Sequence, residues 1–425
     1  MSSAASTGAR PTSTVEDTQS AVGSVATESN VDAIANNGNV TKGPGTRRPD
    51  DVAIKQQRMK SWQPLLNPRY VVAAYFIIGI VFIPTGLVIR NKSNNLVELT
   101  TMYESHLKNG PAADITGCEI GENPNKMYLN NSETCEIQMV ATGDMDPPIM
   151  VHYELYNFYQ NYRRYTTSKD LSQLLGSLNQ DSVSALYCEP LNIMGGIRIN
   201  PCGLVANTLF NDVITLDSII GPDGEPINAP LVEQGIAWRS DLEWKFAQPE
   251  GFASEECSSC DACDCGELNA QGERAWSCNE PYVDGDGVCW RYFYPQDNTT
   301  QYLYETYPMV VSPLEGVTNE HFIVWMRTAA LPRFRKLYGY IEQPIPAGST
   351  LTFRVQANFA VERLKGAKAL VVGNTYIFGG KNPWLGLLFL VVGVIAAVLG
   401  SLFLLKDVLS PRRLADKRYL SYKED

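Results

Sequence analysis

The sequence lacks the short motifs that carry the commonest hydrolytic and nucleotide chemistry. Its 425 residues contain no GxxxxGK[ST] phosphate loop, no HExxH zinc pair and no GxSxG nucleophile elbow. Only three histidines are present, His106, His152 and His321, and they are scattered along the chain. Isolated histidines are more often structural or surface residues than bases or metal ligands. These absences predict a protein that is not an enzyme and that needs no cofactor or metal.

Charge is missing from two long stretches. Residues 70–89 and 383–405 each run for about 20 residues or more without a charge, enough for a helix to cross a hydrocarbon core of about 30 Å. Residues 1–50 contain no short apolar core of the kind that a signal peptide needs, so the first span is expected to be uncleaved. We therefore predict transmembrane helices at 70–89 and 383–405, a disordered N-terminal tail at 1–69, an ectodomain at 90–382 and a C-terminal tail at 406–425.

The distribution of charge predicts the orientation. Residues 1–69 and 406–425 each carry a net charge of +2, whereas the segment from 70 to 405 carries −15. The positive-inside bias places both tails in the cytosol, although Arg90 and Lys92 argue weakly against this for the first span. An acidic ectodomain disfavours nucleic-acid binding. We expect a multi-pass membrane protein of the secretory pathway, with a lumenal or extracellular ectodomain.

The ectodomain pattern favours β-structure with some helix. Residues 351–361 alternate apolar and polar side chains over eleven positions, as a half-buried antiparallel strand does. Residues 321–329 and 368–380 are interpreted as further strands, and 153–178 as aromatic-rich helical pieces. The predicted fold class is thus a membrane protein with two transmembrane helices and a large β-rich ectodomain.

All the cysteines lie between the two spans. An even number in an oxidising compartment implies disulfides, and sequence order pairs Cys118 with Cys135 and Cys188 with Cys202 most simply. The other six allow 15 connectivities. They are Cys257, Cys260, Cys263, Cys265, Cys278 and Cys289. The stretch CSSCDACDCG, residues 257–266, could bind zinc, but lumenal thiols are usually oxidised and no histidine is near.

Four Asn-x-Ser/Thr sequons occur in the chain. Asn39 falls in the predicted cytosolic tail and Asn91 adjoins the membrane, so Asn130 and Asn298 are the predicted glycosylation sites.

Small residues recur every seven positions in both spans. They are Gly79 and Gly86 in the first span, and Gly386, Gly393 and Gly400 in the second. Seven residues are close to two helical turns, so each set lies on one helix face and permits close helix contact. Chance is the alternative, because membrane helices tolerate glycine. Apart from Thr85 and Ser401, the spans offer no side chain suited to lining a water path, which disfavours a pore.

Several long blocks resemble a known family and occur in its order. They read NPRYVVAAYFIIGIVFIPTG, YELYNFYQNYRRYTTSKD, NPCGLVANTLFND, GIAWRSDLEWKF, NEHFIVWMRTAALPRFRKLYGYIE and GGKNPWLGLLFLVVG. Together they cover nearly everything from residue 67 to residue 405. Through them the chain closely resembles the cell division control protein 50 or ligand-effect modulator 3 family, the non-catalytic β subunits of type IV P-type ATPases.

The resemblance implies an ectodomain built on an antiparallel β-sandwich-like core, with the first two cysteine pairs as disulfides. It implies a heterodimer with a phospholipid flippase, whose catalytic subunit depends on the β subunit for folding, export from the endoplasmic reticulum and activity. The cysteine-rich segment at 254–290 has no counterpart in the family pattern and is interpreted as an insertion. The resemblance names neither the ATPase partner nor the transported phospholipid.

Two other classes of function share this topology. A two-span, disulfide-rich channel subunit would need polar residues on a span, and an independent lumenal receptor would need only its ectodomain. The length and order of the matching blocks favour the flippase subunit over both, and this ranking rests on resemblance more than on fold physics.

Overall fold

The computed structural model describes residues 68–108, 110–114, 133–178, 186–263, 281–296 and 298–411, with Val52, Ile54 and Cys118. The chain divides into a first unit, Met1–Leu65, and a compact second unit, Leu66–Asp425. All of the described helices and strands belong to the second unit. The tail predicted to be disordered and most of residues 406–425 lie outside the described residues.

The two long helices stand at the ends of the second unit, with strands and short helices between them. In chain order the elements are α1 (Pro68–Asn94), β1 (Glu98–Ser105), β2 (Glu133–Val140), β3 (Ile149–Tyr156), α2 (Arg163–Thr167), α3 (Leu171–Leu174), β4 (Ile193–Met194), β5 (Ile197–Asn200), β6 (Val213–Ile220), α4 (Arg239–Trp244), β7 (Ala253–Glu256), β8 (Tyr282–Val283), β9 (Cys289–Phe293), β10 (Thr300–Tyr302), α5 (Leu303–Thr306), α6 (Glu320–Met326), β11 (Phe334–Ile341), β12 (Thr350–Ala357), β13 (Ala367–Asn374) and α7 (Pro383–Leu409).

Two antiparallel sheets form the body of the ectodomain. One has the strand order β1-β13-β3-β11, and the other has the order β2-β12-β6. One large hydrophobic core takes buried side chains from both sheets, including Val151 and Leu370 from the first and Ile137 and Phe353 from the second. Smaller sheets, β10-β5-β4 and β7-β9-β8, complete the described part. The β-rich, disulfide-bonded fold class is confirmed.

The alternation that predicted a strand at 351–361 is explained by the position of β12. This strand lies between β2 and β6, and its apolar positions Leu351, Phe353 and Val355 are fully buried in the core. Arg354 faces the other side and is exposed, where it pairs with Asp217 at 2.6 Å. Period two arises because successive side chains of a strand point to opposite faces of the sheet.

Of the expectations for secondary structure, the strand at 321–329 was wrong, and the helical pieces at 153–178 are confirmed in part. The segment 321–329 is mainly helical, because Asn319 caps α6 by accepting a hydrogen bond from the Phe322 N–H at 3.0 Å. Its buried residues, Phe322, Ile323, Trp325 and Met326, follow helical rather than alternating spacing. The segment 153–178 begins as the end of β3 and contains only the short helices α2 and α3. Tyr153 and Tyr156 of this segment lie in the strand, where aromatic residues are common.

Both long helices are long and apolar enough to cross a membrane, and they exceed the predicted bounds of 70–89 and 383–405. Only 22% of the most apolar window of α1 and 17% of that of α7 is buried. The core helix of a soluble protein would be mostly covered. These two helices leave their apolar surface open, as a membrane span does.

Candidate functional site

The two long helices pack against each other along their glycines. A β-carbon on Gly86 would lie 2.7 Å from the backbone nitrogen of Leu390 and 2.9 Å from the carbonyl oxygen of Gly386. A β-carbon on Gly393 would lie 2.8 Å from Cγ1 of Ile83. The backbones therefore approach more closely at these positions than larger residues would allow.

The remaining predicted packing glycines lie in the same helix contact. A β-carbon on Gly79 would meet Cβ of Ala397 at 3.3 Å, and one on Gly400 would meet Cβ of Tyr75 at 3.1 Å. The glycines that recur every seven residues on each helix thus face the other helix of the same chain. Aromatic rings flank the contact, with the Phe82 and Phe389 centroids 5.1 Å apart.

An apolar groove of about 410 Å³ runs beside this contact. Ile83 contributes from α1, and the other lining residues come from α7: Val394, Ala397, Val398, Ser401, Leu402 and Leu405. The Ser401 hydroxyl donates to the Ala397 carbonyl at 2.8 Å, and the Thr85 hydroxyl donates to the Val81 carbonyl at 2.7 Å. Both hydroxyls are therefore engaged within their own helices, and the groove offers apolar surface to lipid or to another helix.

Polar contacts attach the helix pair to the ectodomain. The Asn382 N–H donates to Ser93 Oγ at 2.8 Å, which joins the start of α7 to the end of α1. The Val97 N–H donates to Asn374 Oδ1 at 2.9 Å, which joins the linker after α1 to the end of β13. Ser93 and Asn374 are both buried. The four-stranded sheet is thus attached at the C-terminal end of α1 and the N-terminal end of α7. We call these two ends, which adjoin the ectodomain, the outer ends of the helices.

A buried group of charges connects the two sheets. The Lys368 ammonium on β13 lies 2.8 Å from Glu104 Oε2, 2.8 Å from Asp212 Oδ2 and 2.8 Å from the Phe359 carbonyl oxygen. The Tyr103 hydroxyl donates to Asp212 Oδ2 at 2.8 Å. Burial, followed by the nearby Asp212 carboxylate, raises the pKa of Tyr103 well above its usual value. These side chains are fully buried or nearly so, so the charges compensate one another in place of water.

Asp212 also orders the backbone that follows β12. Its Oδ1 accepts the N–H groups of Asn358 and Phe359, each at 2.6 Å. Removing Lys368 would leave two buried carboxylates without their cation, which is more costly than losing a surface ion pair. No local pattern in the sequence marks the network, because Glu104, Asp212 and Lys368 are far apart in the chain.

The three histidines lie in separate environments. His106 is 3.1 Å from Glu104, and His321 is 2.9 Å from Glu233. His152 stands on β3, where burial and then the Arg335 charge lower its pKa to about 4. The structure does not bring the three histidines together in one site.

The described cysteines form four disulfides. Cys118 pairs with Cys135, and Cys188 pairs with Cys202, with Cα atoms 5.3 and 5.5 Å apart. In the cysteine-rich segment, Cys257 pairs with Cys263 and Cys260 pairs with Cys289. Cys265 and Cys278 lie outside the described residues. Three of the four cysteines in the stretch considered as a zinc site, residues 257–266, are therefore joined in disulfides.

Of the two predicted glycosylation sites, Asn298 lies within the described residues. Asn298 is exposed, two residues before β10. Asn130 lies outside the described residues.

Blocks that are distant in sequence meet in the ectodomain core. The Trp325 indole N–H of α6 donates to the Val205 carbonyl at 2.9 Å, and the ring packs edge-on against Phe158 with centroids 5.6 Å apart.

The neighbouring helix α4 carries Trp244 and is preceded by Trp238, and both tryptophans are exposed. Exposed tryptophans are typical of surfaces that contact another protein.

The fold and the helix contact are those of a structural or accessory membrane subunit. The chain has two apolar helices that pack at glycines, and an antiparallel, disulfide-bonded ectodomain fixed to their outer ends. Its fixed polar groups serve the packing of the ectodomain and the attachment of the helices, as in a structural or accessory subunit.

The comparisons with known proteins assign the family. A family model described as the LEM3 (ligand-effect modulator 3) family / CDC50 family matches residues 89–413. The chain is 36% identical over 368 residues to cell cycle control protein 50A of Mus musculus, covering 84% of this chain and 89% of that protein. It is 31% identical over 386 residues to ALA-interacting subunit 3 of Arabidopsis thaliana, covering 89% of this chain and 92% of the relative. The chain belongs to the LEM3/CDC50 family.

A yeast relative carries a name that states its role. The phospholipid-transporting ATPase accessory subunit CRF1 of Saccharomyces cerevisiae is 28% identical over 394 residues, which cover 89% of this chain and 90% of the relative. The expectation of the family, made from six blocks of sequence, is confirmed.

Proposed function

We propose that this chain is the non-catalytic β subunit of a phospholipid flippase complex. Its partner is a type IV P-type ATPase, which moves phospholipids from the exoplasmic to the cytosolic leaflet and depends on the β subunit for folding, export from the endoplasmic reticulum and activity. The observation that carries the proposal is family membership over residues 89–413, together with a relative named as an ATPase accessory subunit. The match includes the whole described ectodomain and α7.

The geometry of the helix pair supports a heterodimer within the membrane. The glycines of α1 and α7 are used against each other, so a partner helix would contact the outer surface of the pair. The apolar groove lined by Ile83 and α7 is such a surface. Van der Waals packing is the main force between helices in lipid, and a groove provides more of it than a convex surface.

The proposed topology has both termini in the cytosol and the ectodomain in the lumen or outside the cell. The four disulfides support this placement, because disulfides persist in oxidising compartments. The complex would then reside in the endoplasmic reticulum, Golgi, endosome or plasma membrane.

Glycosylation tests this topology. Asn298 is exposed, as a glycan acceptor must be. If the ectodomain is lumenal, endoglycosidase should increase the electrophoretic mobility of the protein, and Asn298→Gln should remove part of that shift. An unglycosylated wild-type protein with Asn298 and Asn130 intact would count against lumenal placement.

Copurification tests the function. The full-length chain, crosslinked in cells and affinity-purified, should bring down a large P-type ATPase that mass spectrometry identifies. Without this chain, that ATPase should remain in the endoplasmic reticulum. Normal export and ATPase activity of every copurifying ATPase in its absence would refute the proposal.

A further inference from the structure

The turn between β13 and α7 exposes two large apolar side chains. Ile377 is 95% exposed and Phe378 is 60% exposed. The turn is well defined, because the N–H of Tyr376 donates to the Gly379 carbonyl at 3.0 Å and the reverse bond is 2.8 Å long. Gly379 has a φ of +99°, a conformation that favours glycine. The hydrogen-bonded turn therefore holds an isoleucine and a phenylalanine away from the ectodomain core.

Both ends of this turn are fixed at the outer ends of the helix pair. Asn374, at the end of β13, is bonded to Val97, three residues after α1 ends. Asn382, just before α7, is bonded to Ser93 in the last turn of α1. Only the seven residues 375–381 separate these two attachments. The tip of the turn must therefore lie close to the level at which the helices leave the hydrocarbon.

The side chains around the turn are those of a membrane boundary. Trp384, in the first turn of α7, is 75% exposed, and Lys381, Arg90 and Lys92 are also exposed. Arg90 is level with the start of α7, because a β-carbon on Gly386 would touch its backbone nitrogen at 2.6 Å. Aromatic residues concentrate at the headgroup region, and cationic side chains near helix ends reach toward lipid phosphates.

We propose that the turn Tyr376–Gly379 inserts Ile377 and Phe378 into the bilayer leaflet on the ectodomain side. The two side chains contact the boundary between headgroups and acyl chains, while the three cationic residues contact phosphates. The ectodomain would thereby have a membrane contact beyond its two covalent connections to the helices. This contact would oppose tilting of the ectodomain about the short linkers. The proposal concerns lipid alone and does not depend on an ATPase partner.

Lipid explains the exposure of these side chains better than the other occupants do. The turn leads directly into a membrane helix, so lipid is available at that level whether or not a partner is bound. Burial of apolar surface away from water is favourable in proportion to the area removed. Ile377 and Phe378 would lack that stabilisation if they remained in water beside a bilayer.

Photo-crosslinking tests the proposal on the full-length chain. The variant Phe378→p-benzoylphenylalanine, reconstituted without any partner in vesicles of phosphatidylcholine, is irradiated and analysed by mass spectrometry. The expected result is a mass increase equal to one phospholipid on the peptide that contains residue 378. Ile377→p-benzoylphenylalanine provides a second site, in case the first variant fails to fold.

Tyr162 supplies a matched control, because it is 62% exposed. Strand β3 starts at Ile149, which pairs with Asn374, and its eight residues lead away from the helices. Tyr162 follows the far end of that strand, so it lies roughly 20 Å or more from the membrane. Tyr162→p-benzoylphenylalanine should give no lipid adduct. Equal adduct yields at 162 and 378, or no lipid adduct at 377 and 378, would overturn the proposal. In the complex with an ATPase, crosslinking of residue 378 to protein rather than lipid would overturn it as well.

Discussion

Substitution of Gly86 should separate the two membrane helices. A β-carbon there would lie 2.7 Å from the backbone nitrogen of Leu390 and 2.9 Å from the carbonyl oxygen of Gly386. Non-bonded heavy atoms in favourable contact are about 3.5–4.0 Å apart, so even alanine requires a displacement of roughly 0.5–1 Å. Both obstructing atoms belong to the backbone, so no side-chain rotation can relieve the overlap.

The magnitude follows from the cost of overpacking. Adding carbon atoms to a well-packed contact destabilises by about 1–3 kcal/mol, and Gly86→Val should fall at the upper end of that range because it adds three carbons. Gly79→Ala should be much milder, since its β-carbon would meet the Ala397 methyl group at 3.3 Å. For domains of about 150–250 residues, each kcal/mol lowers Tm by about 2–4 °C.

The assay is thermal unfolding of the full-length protein in detergent, together with copurification of the proposed ATPase partner. Ala74→Leu is the matched control, because it also adds three carbons but at an exposed position on α1. We expect Tm to be highest for Ala74→Leu, lower for Gly79→Ala and lowest for Gly86→Val. If Gly86→Val and Ala74→Leu have the same Tm and recover the same amount of partner, the glycine contact does not hold the helices together.

Three further predictions concern the ectodomain. Lys368→Met leaves two buried carboxylates without their cation, so it should destabilise the protein by about 3–5 kcal/mol and reduce its surface expression. The control Lys108→Met, at an exposed position, should have little effect. Equal surface expression of the two variants would contradict the network. His152 has a pKa of about 4 in the folded protein and an ordinary pKa of about 6.5 in the unfolded chain, so only the unfolded state gains this proton as pH falls from about 6.5 to 4. The stability that the neutral His152 contributes is therefore complete above pH 6.5 and is lost below it. At pH 5 the loss should be about 1–2 kcal/mol. His152→Gln should therefore flatten the dependence of Tm on pH in that range, and an unchanged slope would show that His152 does not cause it. Cys188→Ser should cost about 2–5 kcal/mol and reduce export of the partner, while unchanged surface expression and ATPase activity would argue against a structural disulfide there.

Most of the architecture could be predicted from the sequence, because its signals are local. A charge-free run of about 20 residues predicts a membrane helix wherever it occurs, and the alternation at 351–361 predicts a strand because period two follows from backbone geometry alone. The same reasoning was wrong at 321–329. There the Asn319 cap and the helical spacing of the buried residues outweighed a high content of strand-favouring residues.

Contacts between distant residues could be recognised only in the folded chain. The glycine spacing predicted that each helix has a close-packing face, but only the structure shows that the two faces meet each other. The Lys368 network depends on β13, β1 and the segments next to β6 and β12, and nothing local marks its members. The turn at Ile377 was interpreted as the end of a strand, since its apolar residues continue the apolar run of β13.

Composition, periodicity and ordered blocks are properties of the chain alone, so they were enough to predict the two membrane helices, the acidic disulfide-bonded ectodomain and the family. They could not predict which glycine faces which backbone, which carboxylates share the Lys368 ammonium or which apolar side chains remain outside the core. Burial and pairing depend on distances between residues that are far apart in the chain. Those distances exist only after the sheets have formed and the helices have packed.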